Sequence, residues 1–472
     1  MTTSRLPSPE SPPFNRQTRD RRFAEASADP FDLIVIGGGI TGAGIARDAA
    51  MRGLRTVLVE KGDIASGTSS ASSKLVHGGL RYLEQGAIGL VFESVTERHR
   101  LRLLAPHLVR PLPFVFPVYG KKPRPLWMVR LGLWMYDAMA LFRAYRLHRG
   151  FGSKRTTELE PTLRRDGLDG CVLYYDCLTD DARLTLETAR AAHEAGAWIL
   201  SYSEAVDLIV DRRQVTGVEV VDRLHGMKAR IQARAVVNAT GPWSDRTVGL
   251  RGDRPRMLRP TKGIHLVVAR DRLPVQHAVV ISNSEDQRVV FAVPWGNRVM
   301  LGTTDTDYTG DYDQVHSERD EIDYLLALTN RYFPESDLGP ADVLGTFAGL
   351  RPLVGGEGTG PSDVSREHTI RVEDDGLISV AGGKLTTYRL MAAEVLKVVA
   401  KRLRTQGVHV GGCHTGSVRL PGGHGIAYRG EELITLGPDG AEAEQAVEDR
   451  LGKDVAEHLQ ESYGGRWTDV AA

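Results

Sequence analysis

The sequence predicts an α/β fold in which a Rossmann-like, dinucleotide-binding layer is joined to an antiparallel-sheet domain. Three observations carry this expectation. A strand–glycine turn–helix–strand unit occupies residues 31–60, a second strand–glycine–helix unit occupies 378–404, and between them residues 263–304 alternate short apolar strands with turns. At 472 residues the chain exceeds one compact core, so two or three domains are expected.

The first unit reads FDLIVIGGGITGAGIARDAAMRGLRTVLVE. Phe31 and the run Leu33–Ile36 have the character of a buried parallel strand. Gly37, Gly39 and Gly42 then fit G-x-G-x-x-G. In that pattern the first glycine makes the tight turn, the second lets backbone approach a pyrophosphate, and the third lets helix and strand pack closely. The helix N-terminus offers N–H donors and a positive dipole end to phosphates. A second apolar strand, Thr56–Val59, ends in Glu60, 18 residues after Gly42, where a carboxylate can accept from the ribose hydroxyls of an adenosine.

The segment after Glu60 indicates which dinucleotide. Residues 62–85, GDIASGTSSASSKLVHGGLRYLEQ, are rich in glycine and small hydroxyl side chains, a composition suited to wrapping the pyrophosphate and ribityl chain of FAD. Thr68, Ser69, Ser73 and Lys74 are the candidate contacts. Farther along, a helix is expected over 180–200, with Asp181 as its cap. Strands follow around 198–221, and AVVNATG (235–241) reads as a strand running into a glycine turn that brings Thr240 and Gly241 to the cofactor. Ala205 and Val206 are assigned to the adenine. GGKLTTYR (382–389) lies between an apolar strand and a helix, where Gly383, Lys384, Leu385 and Thr386 can meet a planar ring and face developing negative charge.

Several runs resemble the FAD-dependent glycerol-3-phosphate dehydrogenases. They are TSSASSKLVHGGLRYLE (68–84), APHL (105–108), WMYD (134–137), YYDCLTDDARLTLE (174–187), NATGPW (238–243), KGIHLVV (262–268), GTTDTDY (302–308), GLRPL (349–353) and GGKLTTYR, in matching order from about residue 31 to about 423. The resemblance implies an amino-acid-oxidase-like flavoprotein fold with discontinuous domains. The FAD-binding domain takes residues 31–85, 160–245 and 341–405, and a substrate-covering domain takes 86–159 and 246–340. A short helical C-terminal segment fills 406–472, where the family usually carries a longer helical domain.

The same resemblance implies oxidation of sn-glycerol 3-phosphate to dihydroxyacetone phosphate by hydride transfer to FAD. A membrane quinone then receives the electrons, with two other readings left open: an oxygen-using oxidase, or a non-catalytic FAD-binding subunit. It places Arg81, Tyr82, Arg351, Lys384 and His265 at the substrate. Arginines in apolar settings such as those of Arg81 and Arg351 call for a fixed anionic partner, either a phosphate or a structural carboxylate. His265 is the leading candidate base, since an imidazole suits proton removal near neutral pH. Arg351 is the alternative, as a group stabilising the forming alkoxide. Thr303, Thr304 and Asp305 read as a structural turn.

Bulk properties exclude other classes. Sixty basic and sixty acidic residues give a formal net charge of zero, which leaves no global signal for nucleic acid. Cys171, Cys177 and Cys413 fit neither a metal site nor a disulfide framework, and so suggest a reducing compartment. No apolar run reaches the ~18–20 residues of a membrane span. Residues 1–30, with Pro7, Pro9, Pro12 and Pro13, read as a disordered tail. In 121–149, Trp127, Leu131, Trp134, Met135, Met139 and Phe142 recur at helical spacing among Lys121, Lys122, Arg124, Arg130, Arg143, Arg146 and Arg149. This is the pattern of an interfacial membrane helix, with a basic-ended core helix as the alternative. The resulting expectation is a cytoplasmic protein, peripheral on the inner face of the membrane; a homodimer is compatible with it.

Overall fold

The computed structural model describes residues 11–80, 82, 86–120, 125–140, 145–252, 256–283, 286, 288–355, 368–429, 432–436 and 440–471. Two large sheets organise them. Across the first, the strands run in the order His368–Val372, Ile378–Gly382, Lys228–Asn238, Phe31–Ile36, Thr56–Val59, Trp198–Leu200. All neighbours are parallel except the His368–Val372 edge. Leu33 sits opposite both Ala235 and Thr56, which makes Phe31–Ile36 a central strand.

A parallel sheet needs cover on both faces, and that is why its strands read as continuous apolar runs. Leu33 and Val35 pack under the helices Ile40–Met51, Asp181–Glu194 and Tyr388–Thr405 through Ile45, Ala49, Ala192 and Leu396. Ile34, Ile36 and Val57 face the opposite way. There they meet an antiparallel meander of Ser203–Asp211, Gln214–Asp222 and the start of Lys228–Asn238, through Val218 and Val220.

The second sheet follows the order Thr306–Asp307, Leu258–Ala269, Arg298–Gly302, Val289–Trp295, Ala278–Ser282, Val109–Tyr119, Leu168–Thr179, Leu75–Val76. Val343–Val354 also pairs with Leu258–Ala269, and Arg149–Gly152 with Leu168–Thr179. Only the pairing of Ala278–Ser282 with Val109–Tyr119 is parallel. Helix Arg319–Tyr332 covers one face with Leu325 and Leu328 against Ile264, Leu266 and Leu301. The other face carries Phe114, Tyr174 and Val280. It is closed in part by helices Ile88–Leu104 and Leu126–Met139, through Val91, Val95, Leu133 and Tyr136.

Three expectations change. Residues 16–25, assigned to a disordered tail, form a helix capped by Asn15, whose side chain accepts from Thr18 N at 3.0 Å. Arg19 in that helix makes a bidentate pair with buried Asp222 at 2.8 and 3.0 Å, and Arg22 donates to the Ala197 carbonyl at 3.1 Å. The basic run is thus a docking face whose acceptors lie ~200 residues away, beyond the reach of a compositional reading. The domain boundaries also move. Leu75–Val76, Leu168–Thr179 and Val343–Val354, all expected in the FAD domain, belong to the second sheet, because their ladder partners lie there. Finally, the cap of helix Asp181–Glu194 is Asp180, which accepts from Arg183 N at 2.9 Å; Asp181 is used elsewhere. The C-terminal segment is a hairpin, Ile426–Arg429 with Glu432–Thr435, followed by three helices gathered on buried Trp467.

Candidate active site

Two connected cavities lie where the sheets meet. The first is a trench of about 710 Å³ over the C-terminal ends of the parallel strands, lined by Gly37, Gly39, Glu60, Thr68, Ser69, Thr240 and Gly241 among others. The second, of about 600 Å³, lies against the second sheet and is lined by Ser73, His77, Tyr82, His265, Arg351 and Lys384. Thr68, Pro352 and Gly382–Leu385 border both.

The trench is built as a dinucleotide cradle. Gly37 has φ +110°, and a Cβ there would lie 2.5 Å from the Ala239 carbonyl oxygen. A Cβ on Gly42 would run into the carbonyl oxygen of Gly37, so this glycine sets how closely helix Ile40–Met51 approaches the turn. Gly39 is the helix N-cap, and the side-chain hydroxyl of Ser69 accepts from Ile40 N at 2.9 Å beside it. The Glu60 carboxylate is aimed by two amides, Gly38 N at 2.6 Å and Gly62 N at 2.8 Å. Two carboxylate oxygens can accept about four hydrogen bonds, so acceptor capacity remains for ribose hydroxyls. Thr240 Oγ1 donates to Asn238 Oδ1 at 2.7 Å, which fixes the strand end, and Gly241 turns at φ +55°. A trench of this shape, ending in the Gly382-Gly383 turn, fits FAD.

Not every expected contact lies there. Of the Ala205-Val206 pair, expected to meet the adenine through backbone, Ala205 lines the trench, while Val206 falls in a β-bulge between Ala205 and Asp207 with its side chain partly exposed. Lys74 is outside both cavity linings. Its ammonium is buried and paired with Asp181 Oδ1 at 2.6 Å, so its charge is already matched. Ser73 serves the second cavity: its Oγ is 2.9 Å from His265 Nε2. The Thr386 hydroxyl is tied to the backbone of His77 at 3.2 Å, joining the Gly382–Thr386 turn to the serine-rich segment. Arg81 lies outside the described residues.

In the second cavity, His265 is 3% exposed and its ring stacks on Phe347 at 4.7 Å. Burial, with the charges of Arg351 and Lys74, lowers its pKa to about 3, so the imidazole is neutral at pH 7. Arg351 donates to Asp305 Oδ1 at 2.9 Å, to the Thr304 carbonyl at 2.9 Å and to Thr303 Oγ1 at 3.1 Å. The turn read as structural therefore orients this guanidinium. Asp305, read from the sequence only as part of that turn, supplies the carboxylate partner of Arg351. Lys384 holds its ammonium 3.6 Å from the centroid of the Tyr82 ring, a close cation–π contact. His265 from Leu258–Ala269, Arg351 from Val343–Val354 and Lys384 after Ile378–Gly382 thus share one cavity, though 119 residues separate the first from the last.

A dinucleotide trench that opens onto a cavity carrying His265, Arg351 and Lys384 points to a flavin-dependent oxidoreductase, and the comparisons agree with this. Residues 32–427 match the family model described as FAD dependent oxidoreductase. Over 440 residues the chain is 38% identical to the aerobic glycerol-3-phosphate dehydrogenase of Staphylococcus haemolyticus, covering 92% of this chain and 78% of that one. It is 43% identical over 371 residues to glycerol-3-phosphate dehydrogenase 2 of Mycobacterium tuberculosis, covering 78% of this chain and 63% of that protein's length. The crystal structure of the glycerol-3-phosphate dehydrogenase from Bacillus halodurans, complexed with FAD, aligns at a TM-score of 0.76 with 35% identity, covering 96% of this chain and 79% of that one. Glycine oxidase from Geobacillus kaustophilus, at 22% identity and a TM-score of 0.56, shares the fold. The chain belongs to the FAD-dependent oxidoreductase family and, within it, to the glycerol-3-phosphate dehydrogenases.

Proposed function

We propose that this protein oxidises sn-glycerol 3-phosphate to dihydroxyacetone phosphate and delivers the electrons to a membrane quinone. The observation that carries the reading is the meeting of Arg351, Lys384 and His265 in the cavity that adjoins the FAD trench. FAD bound on Gly37, Gly39, Gly42 and Glu60 supplies the hydride acceptor.

The chain's own residues do the rest. Arg351 and Lys384 hold the phosphate end and orient the carbinol; Arg81 is assigned the same task. His265 receives the hydroxyl proton at Nε2, the alcohol taking the place of the Ser73 hydroxyl that otherwise occupies this nitrogen at 2.9 Å and steers the ring. Its low pKa keeps it unprotonated before substrate arrives. Burial is the main cause of that low pKa and the Arg351 charge adds to it; an incoming phosphate offsets the Arg351 part, so basicity rises when the alcohol is in place.

Helix Leu126–Met139 supports the membrane part of the reading. Trp127 (66% exposed), Met128, Leu131, Trp134 (51%) and Met135 form one outward face, with Ile88 and Phe92 of the neighbouring helix also exposed. Leu133, Tyr136 and Asp137 hold the inner face in the core. Lys121, Lys122, Arg124, Phe142 and Arg143 lie outside the described residues. Among the described residues no helix is long and apolar enough to cross a membrane, so the proposed attachment is interfacial. The second cavity also has an apolar wall of Leu80, Leu90, Phe116 and Phe291, chemistry suited to a quinone.

Anaerobic addition of glycerol 3-phosphate should bleach the flavin, whereas glycerol, which lacks the anionic anchor, should not at equal concentration. Comparable bleaching by both would refute the phosphate assignment. Reoxidation of the bleached enzyme by a quinone analogue should outpace reoxidation by oxygen, and the reverse order would make it an oxidase.

A further inference from the structure

Parts of three runs singled out in the sequence, HGGLRY, WMYD and YYDC, meet at one buried point. The Tyr136 hydroxyl donates to Asp176 Oδ1 at 2.7 Å and accepts from Gly78 N at 2.9 Å. Gly78 N also lies 3.3 Å from Asp176 Oδ1, and Arg98 pairs with the same carboxylate while donating to the Tyr175 carbonyl at 3.0 Å. Tyr136, Asp176 and Arg98 come from three separate elements, helix Leu126–Met139, strand Leu168–Thr179 and helix Ile88–Leu104, and all are buried.

We infer that Tyr136 and Asp176 are positioning residues: they hold the Gly78-Gly79 turn and, through it, the Tyr82 ring that seats Lys384 in the substrate cavity. The inference deepens the reading of that cavity as a phosphate-ester site and rests on it. Position 78 has to be glycine, because a Cβ would strike the Tyr136 hydroxyl and the Val95 side chain. Its N–H, buried in an otherwise apolar wall, is satisfied by these two side chains, and an unpaired amide there would favour a different turn. Gly79 then reverses the chain at φ +75°, and Leu80 and Tyr82 follow into the cavity lining. The Tyr136 hydroxyl, itself outside the cavity wall, thus reaches the substrate cavity through Gly78, Tyr82 and Lys384 and through Asp176, which also lines it. It does so from the inner face of the helix whose outer face carries Trp127 and Trp134.

The test is FAD-loaded Tyr136→Phe, which keeps the ring and removes one hydroxyl. Two quantities are read: KM and kcat for glycerol 3-phosphate, and Kd for inorganic phosphate from the flavin absorbance change. Both KM and phosphate Kd are expected to rise about tenfold, the size of one lost charge-linked hydrogen bond, with kcat within about twofold of wild type. Leu133→Ala, on the same helix, is the packing control. It should lower the thermal midpoint and leave KM and Kd unchanged. Unchanged KM and Kd in Tyr136→Phe, or an equal rise in Leu133→Ala, would overturn the inference. A wild-type enzyme that binds phosphate but is not reduced by glycerol 3-phosphate would sink the proposed activity alone, and the phosphate Kd of the variant would still decide this point. Wild type that binds no phosphate would overturn both.

Discussion

Ser73 Oγ stands 2.9 Å from Nε2 of His265, so a side chain from the cofactor-side loop holds the imidazole of the substrate-side sheet. The contact predicts two unequal losses. His265→Asn removes the proton acceptor and should slow flavin reduction about 10²–10⁴-fold. Ser73→Ala leaves the acceptor but frees its ring, and a loss of about tenfold is expected. Stopped-flow reduction of the FAD-loaded variants measures both, and a Ser73→Ala loss equal to that of His265→Asn would make the serine itself the essential group.

Gly39 and Gly42 belong to one motif but should fail differently. A Cβ at Gly39 would lie 3.1 Å from the Ser69 hydroxyl, a side chain at the trench wall, so Gly39→Val should fold and lose flavin. A Cβ at Gly42 meets backbone, the Gly37 carbonyl, which has nowhere to move. Gly42→Ala should therefore lower the thermal midpoint as well as the flavin content. The ratio of flavin to protein absorbance and a melting curve separate the two. A yellow Gly39→Val protein with full occupancy would move the pyrophosphate elsewhere.

Two buried histidines, His265 and His107, contribute to the acid stability. Burial first, then Arg351 and Lys74, lowers the His265 pKa to about 3; burial, then Arg466, Arg183 and Arg110, does the same to His107. The unfolded chain titrates each near 6.5. Between about pH 6.5 and 3 the unfolded state binds more protons than the native state, so stability is complete above pH 6.5 and falls as the solution is acidified. Each group adds a slope of up to ~1.4 kcal/mol per pH unit. Denaturant unfolding at pH 7 and pH 5 should show the fall, and His265→Asn should flatten part of it. An unaltered slope in that variant would mean the imidazole is solvated.

The outward face of helix Leu126–Met139 predicts lipid binding that salt weakens and detergent reverses. Wild type should co-sediment with anionic vesicles, each basic residue near the surface adding about 1 kcal/mol. Trp127→Ala/Trp134→Ala should bind more weakly while keeping its flavin spectrum and its bleaching by substrate. Equal binding by the double variant would assign the face to another partner.

Local chemistry accounts for what could be read directly from the residues. Gly37, Gly39, Gly42 and Glu60 lie within 24 residues; the glycines' jobs follow from local geometry and that of Glu60 from its carboxylate, so the trench was legible before any tertiary contact was known. The exposed face of Leu126–Met139 was legible too, because side-chain spacing on a helix is a property of the helix. The second sheet was harder. Leu75–Val76, Leu168–Thr179 and Val343–Val354 read equally well as strands of either layer, since a strand's apolar pattern does not say which partner completes its ladder.

Charged residues divide along the same line. Sequence showed that Arg351 sits in apolar surroundings and that Lys384 lies between glycines and an apolar helix, and it read Lys74 as a cofactor contact in a hydroxyl-rich loop. Only the folded chain decided that Lys74 meets Asp181, that Arg351 is oriented by Asp305 and that Lys384 lies over Tyr82. Burial makes an unmatched charge costly wherever it falls, and a single sequence can show the need for a match. Choosing the match takes a chain already folded, because the partner comes from whichever strand or turn long-range packing brings within hydrogen-bond reach.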